Sequence, residues 1–408
     1  MKIYILVLNF VFASLAYGSE LCQINNVNEL LSRIQEVHPL ILEAKLQTQV
    51  SQKLTDVSKQ RPNPNLNAEA LFGSPNSQFA ADTFFSLQHT IELGGKRSAR
   101  IKSAEAQIEM TELQKREALE AVMIDSVVKL YRLKQIQEIS KLYYEATNAF
   151  DRIRERLKKL PSRSPEQQIE MDTLELASSA YGFDIIQKES EKIYIEKHLA
   201  FFSECPSLAI DRVVPAEVSL PSDIYAFKDI HKSLKVLDAK QKLKIAHTRL
   251  AQENSKKTPN INLGPAVGYG KSIGSEAVLF GAALSMPLPL LNKNKGRRAF
   301  EDANVKTAEL SWRNIEREAA MDLDIWKEKY QRFYKALQTY KGRETMDEKH
   351  KRIESLFHRG VVSTALVIEA HRQLIDFSEA QLSFELGAIE ALWNIYRLTG
   401  NLDKGKLQ

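Results

Sequence analysis

Apolar residues in this chain recur with two periods, and the switch between them marks out its elements. From residue 139 to 157, Ile139, Tyr143, Ala146, Phe150, Ile153 and Leu157 fall at alternating spacings of four and three. Val367, Ala370, Leu374, Phe377, Gln381, Phe384, Ala388, Ala391, Ile395 and Leu398 repeat that spacing near the C-terminus, with only Gln381 off pattern. A sustained period of 3.5 is the seam of a coiled coil. Lys96 to Leu160 and Arg297 to Lys341 contain neither Gly nor Pro, so both stretches predict long helices. At 1.5 Å rise per residue, a helix from Arg97 to about Lys158 is roughly 90 Å long, more than a globular core uses.

Elsewhere the period is two. Leu66, Ala68, Ala70 and Phe72 alternate with Asn65, Asn67, Glu69 and Leu71. Phe85, Leu87, His89 and Ile91 alternate with Phe84, Ser86, Gln88 and Thr90. This predicts two strands, joined by the turn residues Gly73-Ser74-Pro75-Asn76-Ser77. A second pair runs from Ile261 to Tyr269 and from Val278 to Met286, joined around Gly270 to Ser275. Each strand has about nine or ten residues, the length that crosses a membrane when tilted.

The two hairpins belong to an internal duplication. Ala44 matches Ala239, and Pro64-Asn65-Leu66-Asn67 matches Pro259-Asn260-Ile261-Asn262, both at an offset of 195; Leu87 then matches Leu284, and Ser164 matches Ser363. A first repeat, 19–205, and a second, 206–408, each read helix, hairpin, long helix, turn, long helix. The fold class expected is mainly α with a small β part. Four strands cannot close a barrel, which takes about eight, and an open sheet edge cannot face lipid. If the strands span a membrane, several chains share one barrel, and three copies supply twelve strands. The heptads alone also suit a soluble dimeric coiled-coil scaffold with two exposed hairpins.

The first residues bear on compartment. Lys2, the apolar run from Ile3 to Leu15, and Ala16-Tyr17-Gly18 before Ser19 read as a signal peptide over 1–18. Ser19-Glu20-Leu21 before Cys22 does not suit lipid attachment. Removing Lys2 leaves 56 basic residues against 52 acidic, so the net charge falls from +5 to +4, too mild for a nucleic-acid footprint. No later run of 18 apolar residues predicts a membrane-spanning helix. Cys22 and Cys205 each precede the start of a repeat, and in an oxidising compartment they are expected to form a disulfide, with two free thiols as the alternative. The eight histidines are scattered, with no His pair at i, i+4. No metal site, cofactor or nucleophile–base constellation is expected, and hence no enzyme.

Gly94-Gly95-Lys96-Arg97-Ser98 is not a phosphate loop, because Thr90 stands where that motif needs Gly. Gly94 and Gly95 instead read as a strand-to-helix bend. Pro287, Pro289 and Gly296 occupy the same transition in the second half. Two further turns join the long helices. In the first, Pro161 and Ser162 precede Ser164, which fits an N-cap, with Pro165 as first helical residue and Gln167 closing a capping box. In the second, Arg359-Gly360-Val361-Val362-Ser363, Gly360 ends one helix and Ser363 caps the next.

These segments together resemble the TolC-type outer-membrane efflux proteins, and among them the CzcC/CusC branch. The carriers are Arg61-Pro62-Asn63-Pro64, Ile91-Glu92-Leu93-Gly94-Gly95-Lys96-Arg97, Pro287-Leu288-Pro289-Leu290-Leu291-Asn292-Lys293-Asn294-Lys295-Gly296, Arg359-Gly360-Val361-Val362-Ser363 and Leu398-Thr399-Gly400. The resemblance covers nearly the whole mature chain. It implies a homotrimer in the outer membrane of a Gram-negative bacterium, with a shared twelve-stranded barrel and a periplasmic helical tunnel. It also implies a periplasmic adaptor and an inner-membrane pump of the RND class as partners. The tips, Pro161, Ser162, Ser164 and Arg359 to Ser363, would meet the adaptor. Some members narrow the tunnel with acidic rings after the second turn; the matching positions here are Leu366 and Glu369, of which Glu369 keeps the acid. A threefold ring of Glu369 favours cations and raises its own pKa by like-charge repulsion. The cargo expected is heavy-metal cations or small toxic compounds, with a type I secretion duct as the alternative.

Overall fold

The computed structural model describes residues 24–73, 80–215, 218–272, 275–340, 343–402 and 405. The expected signal peptide and Cys22 lie outside the described residues. In chain order the elements are α1 (Val27–Val37), α2 (Pro39–Lys59), β1 (Asn65–Gly73), β2 (Ala80–Ile91), α3 (Lys96–Lys158), α4 (Pro165–Phe202) and a single turn α5 (Ile210–Val213). A 3-10 turn (Ile230–Lys232) follows, then α6 (Leu234–Ser255), β3 (Ile261–Ser272), β4 (Ser275–Ser285), α7 (Lys295–Thr339), α8 (Arg343–His358) and α9 (Thr364–Thr399). No described helix is long and apolar enough to cross a membrane.

Local chemistry sets the helix bounds. The Asn26 side chain accepts from the Glu29 amide at 2.9 Å and starts α1. Pro39 occupies the first turn of α2, where its missing N–H costs nothing. At 63 residues, α3 is about 95 Å long. Its seam is buried as the heptad predicts: Ile139, Tyr143, Ala146, Phe150 and Ile153 are all under 9% exposed and pack with Leu174 and Ile185 of α4 and Val367, Ile375 and Leu382 of α9. The C-terminal seam is buried at Val367, Leu374, Ala388, Ala391, Ile395 and Leu398. Phe384 departs from it and stays 41% exposed, lining a groove of about 330 Å³ with Leu337, Tyr340 and Phe377.

The four strands form one antiparallel sheet in the order β1-β2-β3-β4. The two hairpins are therefore side by side, joined through β2 and β3 in a register that pairs Phe85 with Val267 and Ile91 with Ile261. The helices follow the same lateral order. Next to the sheet, α2 packs on α3, α3 on α6, and α6 on α7; towards the tips, α4 packs on α3, α3 on α9, and α9 on α7 and α8. The wall is thus four elements wide in the sheet, beside it, and at the tips. Among the described residues, each level ends in two elements packed on one side only.

Three large apolar clusters run down the wall, and a small fourth one joins Ala106 and Met110 of α3 to Ile245 of α6. One joins α1, the middle of α3 and the end of α4, with Cys205 and Trp393. A second fills the tip half. The third sets Leu323 and Tyr330 of α7 against Ala388 to Leu398 of α9. Buried polar side chains stitch neighbours together: Gln135 donates to the Leu382 carbonyl at 2.6 Å and Gln241 to the Ala106 carbonyl at 2.7 Å. Arg132 forms a two-pronged pair with Glu191 across α3 and α4, both contacts at 2.7 Å.

The second long helix differs from its counterpart. α3 is continuous, whereas the matching path is split into α7 and α8, with Tyr340 in an extended conformation after α7. The physical reason is legible in Gly342, whose helix propensity is about 1 kcal/mol worse than Ala; nothing comparable interrupts residues 96–158.

Glu120 of α3 is buried, and that burial pushes its carboxyl up to about 7, opposed by Arg116 and Arg397. A folded pKa above the unfolded one means that the protonated acid favours folding below pH 4–5, and the contribution is lost as pH rises through about 7. Glu120→Gln therefore raises Tm at pH 8 by the equivalent of about 1–3 kcal/mol and changes it little at pH 5. Thermal unfolding of both proteins across that range checks it, and equal gains at the two pH values would discard the assignment.

Candidate functional site

The sheet, the junctions beneath it and the two tips present the chemistry that this wall offers. On one face of the sheet the register brings Leu66, Ala68, Ala70 and Phe72 beside Leu87, Phe85, Thr83 and Ala81. Leu263, Val267 and Tyr269 continue this face, and Leu284, Phe280 and Val278 complete it. Phe72, Phe280 and Leu284 are each about 70% exposed or more. The opposite face carries Asn65, Asn67, Glu69, Asp82, Ser86, Asn262, Gly264, Ala266, Gly268, Gly270, Gly281 and Ser285. There the Phe84 ring lies over Gly268, where a Cβ would sit 2.9 Å from the ring edge. The outer edges of β1 and β4 have no strand neighbour among the described residues.

The junction below the first hairpin is more than a bend. Gly94 and Gly95 are both left-handed, at φ 73° and 74°. A Cβ on Gly94 would lie 2.6 Å from the Ser255 carbonyl oxygen, so only Gly fits there. The basic residues that follow close the end of α2 on one side and hold the segment after α6 on the other. Arg97 donates to the Lys59 carbonyl at 3.0 Å. Arg100 donates to the Ser58 and Gln60 carbonyls at 3.0 and 2.9 Å and grips Glu92 at 2.8 and 3.2 Å. Lys96 donates to the Thr258 carbonyl at 2.5 Å and to Asn260. Cations at helix C-termini satisfy orphan carbonyls and complement the dipole. The Arg100 guanidinium holds the Glu92 carboxyl below the usual range.

In the second half Pro287 and Pro289 follow the end of β4, but the left-handed residue is Asn294, at φ 57°. Its side-chain Nδ2 donates to the Glu253 carbonyl and carboxylate at 3.0 and 2.8 Å, closing α6. Gly296, expected at the transition, lies two residues later, inside the first turn of α7. Asn tolerates this conformation because its short side chain bonds locally. Leu288, Leu290 and Leu291 beside this junction are 66%, 77% and 103% exposed.

At the tips, Ser164 accepts from the Gln167 amide at 3.3 Å while Gln167 Oε1 accepts from the Ser164 amide at 3.0 Å, a complete capping box. Pro161 and Ser162 stand in the preceding turn, both exposed. Gly360, at φ 73°, donates to the Phe357 carbonyl and Val361 to the Leu356 carbonyl, ending α8. Arg359 is exposed and Ser363 caps α9. Val361 is 67% exposed, while Val362 is partly buried against the tip cluster. Glu369 is held by Arg372 at 2.7 and 2.9 Å and by Gln373 at 2.7 Å. Within one chain the Arg372 guanidinium brings its carboxyl down to about 2, the opposite direction to like-charge repulsion in a ring. Arg372 also pairs with Asp376 at 2.8 Å.

Cys205 is fully buried and disulfide-bonded. With two cysteines in the chain, the expected partner is Cys22, outside the described residues. One grouping escaped the sequence: His350 and Glu354 of α8 come together with His371 of α9. The i, i+4 spacing of His350 and Glu354 was visible, but the third member stands 17 residues further on, on a different helix, so no linear motif exposes it.

No family model and no curated protein matches this sequence. Solved structures do. The open state of the MtrE outer membrane channel of Neisseria gonorrhoeae aligns with a TM-score of 0.71 and 14% identity, over 93% of this chain and 90% of that one. The CmeC outer membrane channel of Campylobacter jejuni aligns with 0.70 and 11% identity, over 92% and 86%. A CusC structure, described as undergoing transmembrane channel formation, aligns with 0.63 and 15%, over 91% of each chain. At such identities the likeness is one of fold.

The junction yields a stability prediction. Replacing Arg100 by Ala removes two carbonyl caps and the Glu92 pair, and costs about 2 kcal/mol after allowing for the partial exposure of Arg100. Because the folded pKa of Glu92 is depressed, its share is present at neutral pH and lost as pH falls through that value. Denaturant unfolding at pH 7 and pH 3 should show the gap between wild type and Arg100→Ala narrowing in acid; a constant gap would leave only the carbonyl caps.

Proposed function

We propose that this chain is the outer-membrane exit duct of a tripartite efflux system, assembled as a homotrimer. The observation that carries this reading is the constant four-element width of the wall, with open edges in the sheet and in the helices. Three copies joined edge to edge make a twelve-stranded barrel continuous with a helical tunnel, a closed cyclic assembly. Closure pairs the outer edges of β1 and β4, which lipid would leave unsatisfied. It also gives partners to apolar stripes that one chain leaves bare: Leu46, Val50, Leu54 and Val57 on α2, and Ile169, Leu176 and Phe183 on α4, the last three at heptad spacing and each at least 65% exposed.

In this assembly the Leu/Phe/Val face of the sheet meets lipid and the Asn/Ser/Gly face lines the pore. The chain is a passive conduit that catalyses nothing; an inner-membrane pump of the RND class supplies energy, and a periplasmic adaptor docks on the turns around Ser164 and Val361. Three of the similar structures, MtrE, CmeC and CusC, are described as channels or as forming one, and they align with this chain over nearly their full length. The cargo is read as heavy-metal cations or small toxic compounds, by the sequence resemblance to the CzcC/CusC branch. CusC does not stand apart from the other channels in its alignment, so the branch rests on those motifs alone.

Two measurements test the reading. The purified protein should run as a trimer in detergent and give discrete, cation-biased conductance in planar bilayers, with the bias reduced in Glu369→Gln. A monomer or dimer that never inserts would favour a soluble coiled-coil scaffold, and an unaltered bias would remove Glu369 from the pore. Val361→Asp, at the exposed tip, should abolish efflux in cells while trimer yield stays unchanged; export of a co-expressed polypeptide instead of small solutes would point to a type I secretion duct.

A further inference from the structure

His350 and Glu354 lie one turn apart on α8, and His371 faces them from α9. One donor atom from each lies within 4.8 Å of the other two. Both histidines are buried, at 3% and 2% exposure, and their rings meet edge to face at a centroid distance of 4.2 Å. Neither ring nitrogen of His350 has a hydrogen-bond partner, and neither has Nε2 of His371. Buried polar atoms without partners are rare, and an ion is one of the few things that explains them.

The tautomer of His371 sharpens the point. Its Nδ1 lies 2.9 Å from the Val367 carbonyl oxygen, which can only accept, so Nδ1 carries the proton. The lone pair of Nε2 then points towards the Glu354 carboxylate, 3.6 Å away. Two acceptors thus face each other with no proton between them. The opposing charges are few: Arg152 of α3 disfavours positive charge at His371, and Glu354 favours it. The Phe150 ring of α3 closes the remaining side, edge to face at 5.2 Å.

We propose that His350, Glu354 and His371 form a binding site for a divalent transition-metal cation of the zinc class, which clips α8 to α9 just inside the tunnel tip. Two imidazoles and one carboxylate suit Zn²⁺, Co²⁺ and Ni²⁺; thiolates for soft monovalent copper and an all-oxygen cage for Mg²⁺ or Ca²⁺ are lacking. The Val367 carbonyl is the outer-shell group that fixes the ligating tautomer. Three protein ligands leave a fourth position for water, and Glu354, 26% exposed, gives the ion a way in. The ion matters mechanically because α9 is the main neighbour of α8, and α8 leads directly into the turn at Gly360. The site is independent of the efflux reading, since it asks only that these helices pack as they do.

The test uses the full-length protein in detergent, stripped with chelator and titrated with ZnCl₂ and CoCl₂. We expect one ion per chain by equilibrium dialysis, a visible ligand-field spectrum for bound Co²⁺, a Tm raised by Zn²⁺, and slower amide exchange in α8. His350→Phe and His371→Phe keep the ring packing and should weaken binding at least tenfold; Glu354→Gln, at a partly exposed position, should do so without disturbing the fold. Undiminished binding in all three variants would place the metal elsewhere and overturn the proposal. So would an absence of bound Co²⁺ in wild-type protein that unfolds cooperatively.

Discussion

An unpaired strand edge is the constraint from which the rest of this architecture follows. The sheet has four strands, and the outer edges of β1 and β4 have no strand neighbour among the described residues. Soluble proteins blunt such edges with charge, proline or a covering loop. Here the terminal strands are instead rich in exposed Leu, Val and Phe, which makes the edges templates for another copy. The helices repeat the situation. Because α2, α3, α6 and α7 follow the lateral order of the strands, whatever pairs β1 with β4 also brings the bare stripe of α2 towards α7.

The transmission of that order from sheet to helix depends on the junctions. A strand and a helix have different widths and repeat lengths, so their connection needs both conformational freedom and anchoring. Gly94 and Gly95 supply the freedom, and Lys96, Arg97 and Arg100 supply the anchors by gripping carbonyls at the ends of α2 and beside α6. The second half solves the same problem with Asn294, whose backbone turns and whose side chain closes α6. Two different junctions thus keep a sheet and a helical wall of equal width in register.

Period and punctuation carried most of this fold at the level of sequence. The 3.5 spacing located the seams of α3 and α9, because burial on one side imposes that period locally, and alternation located all four strands, because successive side chains take opposite faces of a sheet. Adjacency was not legible. Nothing in residues 65–91 or 261–286 says that β2 pairs with β3, since that contact joins segments about 180 residues apart. The role of Lys96 and Arg97 was hidden for the same reason: their acceptors are backbone carbonyls, which leave no trace in residue type. The split after Tyr340 was signalled only by Gly342, and the grouping of His350, Glu354 and His371 needs the pairing of two helices before it exists.

The two tips are consequently held by different means. The first turn hangs from α3, whose 63 continuous residues run from the junction under the sheet and pack on both sides along the way. The second hangs from α8, a 16-residue helix detached from α7, of a length that is marginal on its own. Its position is set by what it packs against: α9, which brings His371 to His350 and Glu354, and the tip turn with the partly buried Val362. Two strict repeats would place their two tips alike. That one is rigidly suspended and the other rests on a short, separable helix makes the turn at Gly360 the more readily adjustable of the pair. It also makes the contact between α8 and α9 the natural place for a ligand to act on the tip.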